Sequence, residues 1–182
     1  TTAVDREFEI GNEFYAGLRD PLPILSWLPW EDRDRTIEIY SKALKHAPFS
    51  KHAPDAKLRL ARMYIDTNKK DDALKTLREA VSMYPNTAVE KYAMLDLANA
   101  LMQLAGPADG DGKYANEARE VLRAFIEKYP DAPEADWAKT TLVKMEDVSA
   151  NRLYNIAKFY KKIGREEPAS RYLGQIIKEY PN

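Results

Sequence analysis

The chain has 182 residues, 45% of them hydrophobic and 31% charged, a balance that suits an ordered protein rather than a disordered one. Its formal net charge of −1 argues against a surface built mainly to bind nucleic-acid phosphates. It contains no cysteine, so these residues form no disulfide, thiolate metal site or cysteine nucleophile. The longest apolar stretch, Pro21 to Trp30, is too short and too rich in proline to span a bilayer.

In chain order, the first expected helix runs from Phe8 to Gly17 and carries the ladder Ile10-Gly11-x2-Phe14. An insertion from Arg19 to Glu31 follows, with Trp27 and Trp30 among three prolines. Such an aromatic segment either folds back over the first repeat or offers a docking patch to a partner. A second helix then reads Thr36-x3-Tyr40-x2-Ala43-x4-Pro48. The next pair is the most regular: Leu60-Ala61-x2-Tyr64-x8-Ala73-x3-Leu77-x2-Ala80-x4-Pro85. Steps of three and four place these side chains on one helix face. The alanines let two antiparallel helices approach, and the closing proline, lacking an N–H, stops the second one.

The third pair spans Tyr92 to Gln103 and Ala118-x3-Leu122-x2-Phe125-x4-Pro130, with an insertion at Gly106 to Gly112. Ala56, Ala93 and Ala138 each lie eight residues after a proline, so a new repeat should start near Pro133. No matching second helix follows it, and the sequence predicts a half-repeat over 133–147 and a fresh first helix from Asn151. The last pair, Ile156-Ala157-x2-Tyr160-x8-Ala169-x3-Leu173-x2-Ile176-x4-Pro181, has the spacing of the second copy, and Gly164 should end its first helix in the left-handed conformation.

These repeats predict an all-α fold: a tetratricopeptide-like right-handed superhelix of antiparallel pairs, about eight or nine helices in a single domain over 1–182. The repeats fall at about 3–48, 54–85, 90–130 and 150–181, with the half-repeat at 133–147. The expected function is binding rather than catalysis. His46 and His52 are the only histidines, and their spacing does not suit one helix face for a metal. The run Asp109-Gly110-Asp111-Gly112 lacks the remaining ligands of a calcium loop. No nucleophile, phosphate loop, metal or cofactor site is expected.

The expected binding surface is the concave face lined by first helices. Residues one step off the ladder should form it: Asn12 and Tyr15, then Leu58, Arg62 and Ile65, then Tyr92, Leu95, Asn99 and Met102. Aromatic, amide and arginine side chains in a groove suit an extended peptide. Charge is uneven along the chain. Residues 1–34 carry eight acids against three bases, whereas residues 150–182 carry seven bases against three acids. Tyr154, Lys158, Lys161, Lys162 and Arg165 therefore form an expected basic docking surface for a protein partner.

The repeats closing in Tyr84-Pro85, Tyr129-Pro130 and Tyr180-Pro181, the links to Ala56, Ala93 and Ala138, and the stretch Leu153 to Tyr160 followed by Ala169-x-Arg171-Tyr172-Leu173 resemble the lipoprotein family of the outer-membrane β-barrel assembly machine, called BamD or YfiO. The resemblance implies a periplasmic scaffold at the inner face of the outer membrane, held there by an acylated cysteine that these 182 residues do not contain. It implies two kinds of partner: the barrel-forming subunit, and the C-terminal segments of nascent barrel proteins. The latter would enter near Tyr15, Arg62 and Tyr92, with the basic C-terminal repeat facing the subunit. Other periplasmic repeat proteins, such as the division coordinators called CpoB or YbgF, also close repeats with Tyr-Pro, and a generic peptide-binding adaptor is a further alternative.

Overall fold

A computed structural model describes residues 3–17, 33–105 and 112–180, so Trp27, Trp30 and the Gly106–Asp111 insertion lie outside the described residues. Eight helices are present among them: α1 (Ala3–Tyr15), α2 (Arg33–His46), α3 (Ala53–Asp66), α4 (Lys70–Met83), α5 (Ala88–Leu104), α6 (Lys113–Lys128), α7 (Ala135–Lys162) and α8 (Glu166–Glu179). There is no strand among the described residues. The chain divides into two compact units, Thr1–Val121 and Leu122–Asn182, with the boundary inside α6.

In the first unit, consecutive helices pack in turn, α1 on α2, α2 on α3, α3 on α4 and α4 on α5, and the first helices also touch, α1 with α3 and α3 with α5. The ladder supplies the core. Ala61, Ala73, Leu77 and Ala80 are all buried, as are Phe8, Tyr40 and Ala43. Removing one leucine side chain of this kind from water is worth roughly 1.5–3 kcal/mol. The first pair solves the same packing problem with different sizes. Tyr40 stands where Leu77 stands in the next pair, and Gly11 faces it where Ala61 would be. A Cβ on Gly11 would lie 2.7 Å from Tyr40 Cε1, so only glycine admits the ring.

Local signals set the helix ends. Pro54 occupies the first turn of α3, where its missing N–H costs nothing. At α5, Thr87 Oγ1 accepts from the Glu90 N–H (3.2 Å), while the Glu90 carboxylate accepts from the Asn86 N–H (2.5 Å), a reciprocal cap. The ends of α3 and α7 are built alike. Asn68 (φ 57) and Gly164 (φ 73) both take the left-handed conformation. The following N–H reaches back five residues in each, Lys69 to Tyr64 O (2.8 Å) and Arg165 to Tyr160 O (2.9 Å). The tyrosine of the Tyr-Pro motif also ties one pair to the next. Buried Tyr84 donates its hydroxyl to Pro48 O (3.1 Å), joining the end of its own pair to the end of the previous one.

In the second unit α7 packs on α8. Here the structure differs from the expected half-repeat. Residues 135–162 form one unbroken 28-residue helix, so no new helix starts at Asn151. The reason is the absence of a stop: neither glycine nor proline occurs between Ala135 and Lys162, and Asp147-Val148-Ser149-Ala150 supplies no cap that would end a helix.

Candidate functional site

The exposed edges of α1, α3 and α5 carry a polar seam. Its anchor is Tyr40, fully buried on α2, whose hydroxyl donates to Asn12 Oδ1 on α1 (2.8 Å). The same oxygen accepts from Arg59 Nη1 on α3 (2.7 Å). The Arg59 guanidinium lies over the Tyr15 ring at 5.1 Å, within cation–π range. One turn along α3, Arg62 Nε donates to Asp96 Oδ2 on α5 (2.7 Å). Asn12, Tyr15, Arg59, Arg62 and Asp96 thus join three successive first helices.

The electrostatics follow from these contacts. Burial raises the pKa of the Tyr40 hydroxyl, against the pull of the nearby Arg59 charge. Partial burial works against the Arg62 charge as well. The Asp96 hydrogen bond and charge, together with the Tyr15 oxygen, outweigh it and hold the Arg62 pKa above its ordinary value. Tyr92 and Asn99 share a face of α5 with Asp96, at one turn before and just under one turn after it, and both are exposed. Leu95 and Met102 are half-buried beside them.

Most of the expected groove residues therefore reach this surface, with two differences. Leu58 is buried, because α3 packs against α1, α2, α4 and α5 and its inward arc is wide enough to take Leu58 with Leu60 and Met63. Ile65 lies elsewhere, in a small cleft with Leu74, Ala100 and Leu104 between α3, α4 and α5. Arg59, Tyr40 as a hydroxyl donor, and Asp96 were not expected at the site. Arg59 stands three residues before Arg62, the step that shares a helix face, and that spacing was the available signal.

On α7, Tyr154, Lys158, Lys161 and Lys162 are exposed, as is Arg165 in the turn before α8. An open depression on the same helix is lined by Val148, Arg152, Asn155, Ile156 and Phe159. The two histidines serve as ties to α1: His46 Nδ1 lies 3.0 Å from Glu7 and His52 Nε2 lies 3.7 Å from Asp5. Among the described residues no three His, Cys, Asp or Glu side chains converge as a metal site, and no helix is long and apolar enough to cross a membrane.

Antiparallel pairs interlocked by alanines, closed by Tyr-Pro and joined through their first helices are the architecture of a tetratricopeptide-repeat protein. A solved tetratricopeptide protein of Thermus thermophilus shares the fold, with a TM-score of 0.52 and 18% identity over 99% of this chain and 93% of that one. Within this class, residues 28–182 match the YfiO family of outer membrane lipoproteins, and the chain belongs to that family. The outer membrane protein assembly factors BamD of Neisseria gonorrhoeae and of Neisseria meningitidis serogroup B are each 27% identical over 158 residues, 81% of this chain. The chain spans 59% of the length of these relatives.

Proposed function

We propose that the chain is a non-catalytic scaffold of outer-membrane β-barrel protein assembly, acting at the periplasmic face of the outer membrane. It binds an extended segment of a nascent barrel protein along α1, α3 and α5, and an assembly partner through the basic end of α7 and the turn before α8. The observation that carries this reading is the seam of Tyr15, Arg62, Tyr92 and Asn99 across consecutive first helices, half-open and partly apolar. Exposed aromatic rings can hold apolar side chains, and amide and guanidinium groups can satisfy the backbone of a strand-like ligand. Membership of an outer membrane lipoprotein family and the assembly-factor relatives give the context.

The test is fluorescence anisotropy with labelled C-terminal peptides of outer-membrane β-barrel proteins. Saturable binding that weakens in both Arg62→Ala and Tyr92→Ala is the expected result. Absence of binding at high micromolar protein would overturn peptide capture in this groove.

A further inference from the structure

We infer that Arg59 and Arg62 together form a subsite for a carboxylate of the bound segment, whose Arg62 side Asp96 holds in the free protein. The inference rests on the groove reading above and adds to it the chemistry of one contact. The two arginines are three residues apart on α3 and so neighbours on one face. The Tyr15 ring lies under Arg59 at 5.1 Å.

Their states differ. Arg62 has a carboxylate partner, Asp96, which engages Nε. Arg59 is half-buried, and among the described residues it meets the Asn12 amide oxygen and the Tyr15 ring, with the Tyr40 hydroxyl nearby, all of them neutral groups. A guanidinium carries five N–H donors in a planar fork, and Asn12 takes one of them at Nη1. Withdrawing a cation from water without a counter-anion costs free energy that an arriving anion recovers. The support behind it is rigid: Tyr40 is fully buried and fixes the Asn12 oxygen that fixes Arg59. Such preorganisation favours a planar acceptor met by two parallel hydrogen bonds, which is a carboxylate. The carboxylate comes either from the C-terminus of the segment or from an acidic side chain near it.

Three labelled peptides of one apolar-aromatic sequence separate these sources: a free C-terminal acid, the same peptide amidated, and an amidated peptide ending in Asp. The full chain is expected to bind the free acid about tenfold more tightly than the plain amide, the scale of a charge-assisted pair. That preference should vanish in Arg59→Ala, survive in part in Arg59→Lys, and weaken with added salt. Asp96→Asn, which removes the internal competitor, should tighten the free acid several-fold, a gain that a damaged fold would not produce. If the amidated Asp peptide binds like the free acid, the subsite stands and takes side-chain carboxylates. If acid and amide bind the wild type equally, or if Arg59→Ala keeps the preference, the subsite is wrong and the groove is left standing. If none of the three peptides binds, the groove reading fails and the subsite with it.

Discussion

The helix pairs α3–α4 and α7–α8 are two copies of one ladder, offset by 96 residues from Pro85 to Pro181, and they differ in what is buried. Within the hairpin the copies agree: Ala61 and Ala157 are buried, and so are Ala73 and Ala169. On the outer faces they part. Leu77 is 0% exposed and its equivalent Leu173 is 40%. Met63 is 7% exposed against 58% for Phe159, and Leu58 is 7% against 53% for Tyr154. The first copy has α1, α2 and α5 packed on it, and α8 packs on α7. The ladder therefore encodes the pairing of two helices, which buries the small residues. Burial of the large ones depends on neighbouring helices that the ladder itself does not specify.

The sharpest way to break this comparison is to truncate the equivalent leucines. Leu77→Ala should destabilise by about 2–5 kcal/mol, the range for a fully buried leucine that leaves a cavity. Leu173→Ala should cost less than about 1 kcal/mol, because much of that side chain already meets water. Chemical denaturation followed by circular dichroism reads both. Similar losses at the two positions would mean that the outer faces are equally covered in solution.

Gly11→Ala comes next in size and tests the first pair. A methyl group 2.7 Å from the Tyr40 ring must displace it, and overpacking of this kind costs typically about 1–3 kcal/mol. The double change Gly11→Ala with Tyr40→Leu should recover part of the loss, since it restores the alanine–leucine pair of α3–α4. Failure to recover would show that the Tyr40 hydrogen bond to Asn12 matters more than the volume.

The Tyr-Pro motif carries a smaller and pH-dependent term. Burial, and to a lesser degree the charge of Glu79, raise the pKa of the Tyr84 hydroxyl in the folded protein. A raised pKa means that the neutral phenol is favoured in the folded state. Its contribution is complete below the unfolded value of about 10 and is lost as pH climbs through the folded value. Tyr84→Phe removes the hydrogen bond to Pro48 O and should cost about 1 kcal/mol at neutral pH. It should also reduce the alkaline loss of stability, to which Tyr40, shifted the same way by burial, still contributes. An alkaline limb unchanged by Tyr84→Phe would remove Tyr84 from this account.

Much of this fold was legible because its determinants are local. The ladder steps, the proline stops and the left-handed Gly164 are statements about residues within one pair, and Asn68 holds the equivalent place in the turn between α3 and α4. The long α7 was harder. Ala138 obeys the repeat-start spacing and Ile156-Ala157 obeys the ladder, so the sequence reads as two elements, and only the lack of a stop between them shows that it is one. The site was legible in part for the same reason. Tyr15, Arg62 and Tyr92 follow from helix phase, but the Arg59–Asn12 contact joins residues 47 apart and the Arg62–Asp96 contact joins residues 34 apart. Pairings at that separation are set by how helices stack, and periodicity within one helix does not contain them.

The smallest effect runs in the opposite direction and tests the open copy by itself. Gly174 lies inside α8, and a Cβ built on it would meet nothing within 4 Å. Its backbone is helical, so alanine there needs no special conformation. Glycine in a helix interior is less favourable than alanine by roughly 0.5–1 kcal/mol, because it loses more chain freedom on folding. Gly174→Ala should therefore stabilise the α7–α8 pair by about that amount, whereas Gly11→Ala, also within a helix, destabilises. The sign is the informative part, since the propensity gain is the same at both positions and only the surroundings of the methyl group differ. Stabilisation measured by denaturation would confirm that this face of α8 is open in solution. A loss would mean that in solution something packs against α8 at Gly174, beside the exposed Leu173 and Ile177.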